Sequence, residues 1–269
     1  MKKILVPTDF SENANLALRH AIQVANRFGA TVCLLHIYQV ATSTGNLVSI
    51  DHIVKADREE AVSELIDQMR PLLTSSARIE GHVRKGNSVE NICQLAEKLE
   101  VDLIIMGTKG ADGKKKLFID STASNVILHT TIPVLVIPGA FESFKISNIT
   151  LVLDDKEIED STVLKPMLDL VKGFGAVLDL LSVIDEDHPK AKIDRNLEEY
   201  INKEGVTYTY FIVKAPSIVE GIRKFVARES SDSLCLIHHS RGFFQNIFGA
   251  SVAKEMAFDS SVPLMVLRG

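Results

Sequence analysis

The sequence predicts an α/β protein made of two tandem doubly wound domains, each a five-stranded parallel sheet flanked by helices. Three observations predict this. Short β-rich apolar runs alternate with amphipathic stretches along the whole chain. Strand candidates such as Leu103–Met106 and Val134–Ile137 are continuously apolar rather than alternating, as strands buried on both faces are. And the chain says nearly the same thing twice. Phe28-Gly29-Ala30 recurs as Phe174-Gly175-Ala176, an offset of 146 residues. The same offset pairs Leu5 with Leu151, Val6 with Val152, Asp9 with Asp155 and Leu34-Leu35 with Leu180-Leu181, with no gap. The halves also end alike, IPVLVIP at 132–138 and VPLMVLR at 262–268. An internal repeat of this kind sets the architecture before any local reading.

In order, the first half offers strands at Lys3–Pro7, Thr31–Ile37, Ala77–Arg84, Leu103–Met106 and Val134–Ile137. Ser11-Glu12 opens the first helix, and Ala14, Leu18, Ala21, Ile22 and Ala25 line one face of it. Asp51–Leu73, Ser88–Leu99 and Thr122–Leu128 give three more helices. The linker Pro138–Lys145 carries a Pro-Gly pair, so the domains are expected at 1–140 and 145–269. The second half repeats the pattern with Thr150–Leu153, Val177–Val183, Val206–Val213, Leu234–His238 and Leu264–Leu267. Its second helix, near Lys190–Glu204, is shorter. Strands alternating with helices argue right-handed crossovers within a parallel sheet.

The bulk numbers narrow the function. A chain of 269 residues, 46% hydrophobic and 24% charged, is globular rather than disordered. A net charge of −5 gives no overall drive toward nucleic acid or an anionic membrane. No apolar run approaches the roughly 18 residues of a membrane span. Thr8 and Asp9 break the N-terminal apolar run too early for a signal peptide. Cys33, Cys93 and Cys235 are odd in number and far apart, which does not read as a disulfide framework. A reducing cytoplasm is the expected compartment.

Three pieces of the first half are candidates for one site. Pro7-Thr8-Asp9 ends the first strand, Met106-Gly107-Thr108-Lys109-Gly110 ends the fourth, and Ser121-Thr122 opens a helix. If the strand order is 3-2-1-4-5, strands one and four flank the crevice where ligands of such sheets bind. Glycines let backbone N–H groups approach phosphate oxygens, a helix start adds donors and a positive dipole end, and Asp9 suits a ribose hydroxyl. Glycine after a strand is also an ordinary turn residue, and the spacing alone does not separate the two readings. The segment is neither a Walker loop nor a dinucleotide fingerprint.

The segments ILVPTDFSENANLALRHAIQVA, LLHI, DLIIMGTKG and IPVLVIP, in this order, resemble the universal stress protein family, across the first half and more loosely across the second. The resemblance implies the five-stranded order 3-2-1-4-5. It also implies, for a subset of the family, ATP held by Gly, two residues, Gly, nine residues, then Gly-Ser/Thr. Gly107 and Gly110 match, and the spacing to Asp120-Ser121 is right. By resemblance, Pro7, Thr8, Asp9 and Ile37 line the adenine and ribose end. Met106, Gly107, Gly110, Ser121 and Thr122 line the phosphate end. Asp120 departs from the family glycine. A carboxylate there repels phosphate and can cap the helix itself, at about 1 kcal/mol. Lys109 and Lys114-Lys115-Lys116 either offset that charge or form a solvated loop.

The second copy has drifted. At an offset of 146 its first-strand end reads Leu153-Asp154-Asp155, and its glycine pair aligns with His239 and Gly242, followed by Ala250-Ser251-Val252. That half is expected to support folding or pairing rather than hold a triphosphate. Cys235 and His238 fall on opposite faces of a strand, so a packed cysteine is expected there and no metal site. Arg241, Phe243, Phe244 and Phe248 read as a loop packing its aromatics. His36 reads as a satisfied strand-end histidine. No histidine base is marked beside Ser121 or Ser251, so no catalytic residue is assigned.

The leading expectation is therefore a cytoplasmic stress-response protein. Its first domain would bind an adenine nucleotide, ATP foremost and with or without magnesium, as a regulatory ligand. The alternatives are a scaffold with the site plugged by Asp120, and a slow ATPase. The two domains are expected to pair through their last strands, which removes two exposed edges. A homodimer and an unknown protein partner are compatible with this arrangement. Neither nucleic acid nor membrane is expected as a partner.

Overall fold

The computed structural model describes residues 1–39, 47–108, 122–139, 141, 145–154, 158, 160–186, 191–229, 231–238 and 262–269, with the backbone path alone for 47–50. Among the described residues the apolar runs form ten strands. In the first half these are β1 Lys3–Thr8, β2 Thr31–Tyr38, β3 Arg78–Lys85, β4 Leu103–Gly107 and β5 Val134–Ile137. In the second half they are β6 Asn148–Leu153, β7 Val177–Ile184, β8 Tyr208–Lys214, β9 Ser233–His238 and β10 Leu264–Arg268. The helices are α1 Glu12–Phe28, α2 Leu47–Met69, α3 Ser88–Leu99, α4 Thr122–His129, α5 Lys165–Phe174, α6 Arg195–Lys203 and α7 Ile218–Glu229. The expected second helix ends early, because Pro71 converts Arg70–Leu72 to a 3-10 turn.

All ten strands form one sheet in the order β3-β2-β1-β4-β5-β10-β9-β6-β7-β8. Each half thus has the order 3-2-1-4-5, the second running back from the join. Every pairing is parallel except the join, where Leu264, Met265 and Val266 of β10 run antiparallel to Val136, Leu135 and Val134 of β5. The strands that end each half thereby cover one another. Two apolar layers sandwich the sheet. One lies under α1, α2, α5 and α6 and includes Ile4, Val6, Leu151 and Leu180. The other lies under α3, α4 and α7 and includes Leu5, Leu35, Met106 and Leu264. Both layers cross the join, so the halves share their cores.

Helix ends repeat with the sequence. Ser11 caps α1 by accepting the Ala14 N–H. Gly29 and Gly175 end α1 and α5 in the left-handed region at φ 65°, where glycine carries no Cβ penalty.

The repeat is not gapless, which corrects the uniform offset of 146. Thr31 N–H donates to the Lys2 carbonyl, and Val177 N–H donates to the Ser147 carbonyl. Hence β2 and β7 match at 146, while β1 and β6 match at 145. The aspartate before the fourth strand of each half shows the same slip. Asp102 accepts the N–H groups of Lys2 and Lys3 at 2.5 and 2.9 Å. Asp232 accepts those of Ser147 and Asn148 at 2.8 and 3.1 Å. Strand parity agrees, since Val6 and Leu151 face the same helices while Leu5 and Leu151 do not. The extra residue lies in the β6–α5 connection, which also holds a 3-10 turn at Ser161–Leu164.

Candidate functional site

The strand order reverses direction at β1, between β2 and β4. Leu5 stands beside Ile104, and Pro7 beside Leu35, so the carboxyl ends of β2, β1 and β4 lie together. Alternation then sorts the residues by face. Pro7, Ile37 and Met106 share the α3/α4 side. There Met106 is buried in the core and Ile37 packs against it. Thr8 and His36 share the α1/α2 side and are buried.

The loop from β1 to α1 is held by its own side chains. Thr8 Oγ1 accepts the Phe10 N–H at 3.0 Å, Asp9 Oδ1 accepts the Ser11 N–H at 3.0 Å, and Ser11 Oγ accepts the Ala14 N–H at 3.3 Å. These bonds hold Phe10 at φ 65°, a left-handed conformation that costs a non-glycine residue about 1–3 kcal/mol. The Phe10 ring lies 4.4 Å from that of His36. His36 Nδ1 donates to the Thr8 carbonyl at 2.9 Å, so the ring proton sits on Nδ1. Burial pushes the His36 pKa down; the Thr8 carbonyl opposes this, Arg58 adds to it, and Asp9 opposes it. His36 is thus a satisfied strand-end histidine, as its place in the sequence suggested. Asp9 itself is exposed at the mouth.

Gly107 has a packing role that its place in a glycine pair does not reveal. A Cβ there would lie 2.5 Å from the Asn13 carbonyl oxygen, in the first turn of α1. Gly139, just after β5, faces the Asn13 side chain in the same way, at 2.5 Å from Oδ1. Asn13 is therefore wedged over the ends of β4 and β5, a residue the sequence reading missed. Its only sequence signal is a glycine after each of those strands.

Thr122 begins α4 and is exposed. At the far end of that helix, Arg268 of β10 donates from Nη1 to the carbonyls of Leu128 and Thr130 at 3.0 and 3.3 Å. The second half thus caps the helix that starts at the candidate phosphate end. Lys109, Gly110, Lys114–Lys116, Asp120 and Ser121 lie outside the described residues. The structure brings together Pro7, Thr8, Asp9, Ile37, Met106 and Gly107, and Thr122 opens the neighbouring helix.

The second half carries different residues at the matching described positions. By the observed register, Val152, Leu153 and Asp154 stand where Pro7, Thr8 and Asp9 stand, and Ile237 stands at the place of Gly107. This corrects the alignment that put His239 opposite Gly107. A Cβ at Gly107 would collide with the helix turn above it. Ile237 is buried in the matching position, and α5 begins only at Lys165. Cys235 is fully buried in the layer under α1 and α5, with its thiol pKa pushed up by burial. His239, Gly242 and the aromatic loop residues Arg241, Phe243, Phe244 and Phe248 lie outside the described residues, as do Ala250-Ser251-Val252.

A doubly wound sheet with its crevice at the strand-order reversal defines a class of α/β binding proteins. Comparison with known proteins narrows it. The profile of the Universal stress protein family matches residues 1–138. Universal stress protein MJ0531 of Methanocaldococcus jannaschii is 30% identical over 141 residues, covering 51% of this chain and 81% of that protein. Universal stress protein MJ0577 of the same organism is 30% identical over 152 residues, covering 51% and 94%. The crystal structure of a universal stress protein from Archaeoglobus fulgidus superimposes over 99% of this chain and 96% of its own, with a TM-score of 0.73 at 20% identity. That likeness extends the shared fold to the second half. The chain belongs to the universal stress protein family.

Proposed function

We propose that the chain is a cytoplasmic stress-response protein whose first domain, residues 1–140, binds ATP or another adenine nucleotide as a regulatory ligand. The observation that supports this most is the meeting of the β1 and β4 carboxyl ends, with a β1–α1 loop already fixed by its own hydrogen bonds. Pro7 and Ile37 offer apolar contact to the base, Thr8 and Asp9 face the ribose, and Met106 lines the phosphate end. Backbone N–H groups at Gly107 and Gly110, with Ser121 and Thr122 at the start of α4, take the phosphates. Magnesium accompanies the phosphates rather than a protein ligand set. Residues 145–269 form the second domain, which braces the first and binds no nucleotide. The ligand changes shape or partner choice, and no turnover is assigned.

One observation favours a second reading, in which Asp120 stands where the family pattern has glycine and closes the phosphate end. Native mass spectrometry decides between them, on protein purified without nucleotide and then titrated with ATP and magnesium. The first reading expects a one-to-one adduct in wild type that Gly110→Val removes. An adduct that forms only in Asp120→Gly means the site is plugged, and none in either protein overturns nucleotide binding.

A further inference from the structure

Near the edge of the sheet, away from the crevice, three donor side chains of different chemistry converge. Cys33 of β2 stands directly beside Glu80 of β3. Glu80 and His82 are two apart on β3 and so point to the same face. Between them Gly81 turns to the other face, where a Cβ would lie 2.7 Å from Val62 of α2, so helix packing fixes this stretch of the edge strand. Cys33 Sγ and His82 Nε2 each lie 3.3 Å from the same carboxylate oxygen, Glu80 Oε1. All three ligand atoms fall within 4.8 Å of one another.

We propose that Cys33, Glu80 and His82 form a zinc site. Sulfur, imidazole nitrogen and carboxylate oxygen are the donor types this borderline-soft ion takes. A tetrahedron with bonds of about 2.0–2.3 Å has edges of about 3.3–3.7 Å, and two of the three ligand separations already stand at that length. Charge balances as well, since a thiolate and a carboxylate neutralise a divalent ion. Access runs from the sheet edge. Glu80 and His82 keep 49% and 27% of their side chains exposed, while Cys33 beneath them is enclosed. Three protein ligands leave the fourth position to water on the open side.

In the metal-free protein the thiol stays protonated and donates to Glu80. Burial pushes the Cys33 pKa up to about 12, Glu80 adds to this, and Lys3 opposes it. Zinc binding would therefore displace the thiol proton to solvent. The sheet itself does not require this donor set. At the matching positions of the second half the register places Asp179, Thr209 and Phe211, which cannot reproduce it.

The test uses chelator-treated full-length protein with no nucleotide, so that the result is independent of the crevice. Cobalt(II) is titrated first, because a cobalt–thiolate bond gives a charge-transfer absorption that oxygen and nitrogen ligands lack. Zinc is then added to displace it. The expected result is one cobalt per chain with that band, bleached by zinc, absent in Cys33→Ala and unchanged in Cys93→Ala. His82→Gln alters only a partly exposed position, and it should weaken zinc binding in calorimetry at least about tenfold. A missing band, a band lost in Cys93→Ala rather than Cys33→Ala, or an unchanged zinc affinity in His82→Gln would overturn the site. The His82→Gln measurement stands even if Cys33→Ala does not fold.

Discussion

His36 shows how one residue can be both well satisfied and a source of acid sensitivity. Its Nδ1 proton is used on the Thr8 carbonyl and its ring lies beside Phe10, so the buried neutral form is the one the fold accepts. His20 is also held below the ordinary histidine value, mainly by burial and against its bond to the Phe141 carbonyl. A lowered folded pKa means that the unfolded chain binds protons that the folded chain does not. Stability is therefore full above the unfolded value of about 6.5 and falls as pH drops toward the lowered folded values. Urea midpoints between about pH 7 and about pH 5.5 should fall in wild type and fall less in His36→Gln; equal slopes would remove His36 from this account. At the same scale, Pro7, Ile37 and Met106 were legible as site residues through the family resemblance, while the face they share comes from the strand register. Asn13 was not legible, because its role depends on a helix docking against two strand ends far along the chain.

Among the elements, β1 and β6 are set by a device that the two halves share. A single aspartate ahead of the fourth strand receives two consecutive N–H groups at the start of the first. Hydrogen bonds to a charged acceptor contribute about 1.5–3 kcal/mol, and loss of the acceptor strands two donors. Asp102→Ala and Asp232→Ala should each lower stability by about 2 kcal/mol in urea unfolding, although they lie in different halves. If only one of them does so, the device has a structural role in that half alone. The one-residue slip between β1 and β6 was not legible in the sequence, and the reason is physical. ILV at 4–6 and LVL at 151–153 are apolar at every position because both faces of these strands are covered, so no alternation marks which residue faces which layer. The Phe-Gly-Ala repeat before β2 and β7 was legible, because a left-handed helix end calls for glycine and fixes the frame there.

For the whole molecule, the antiparallel pairing of β5 with β10 makes one sheet and two continuous cores out of two repeats. Phe28 and Phe174 meet edge to face across the helices, Arg27 bonds the Gly173 carbonyl, and Arg268 caps α4 from the other half. With so many contacts shared, the halves should unfold together. Calorimetry is expected to show a single cooperative transition. Met265→Ala, which opens the buried join, should lower it by about 2–5 kcal/mol without splitting it. Two separated transitions in wild type would show that the halves are energetically independent. The order of strands within each half was implied by the family resemblance, and the pairing of the last strands by that resemblance and by the two edges that a repeat leaves. The placement of Ile237 at the position of Gly107 was not legible, because it rests on a register that only the hydrogen-bond ladder reveals.

That register also dictates how the two halves can be exchanged by protein engineering. A transplant of the β1–α1 loop into the second half, cut at the offset the helix ends suggest, would rotate every side chain of β6 to the opposite layer. Leu151 would then leave the layer it shares with Leu180. A chimera must be spliced at 145 through β6 and at 146 through the end of α5 and β7, with the odd residue left in the connection. It must also restore a glycine at Ile237 before an added helix turn could settle there.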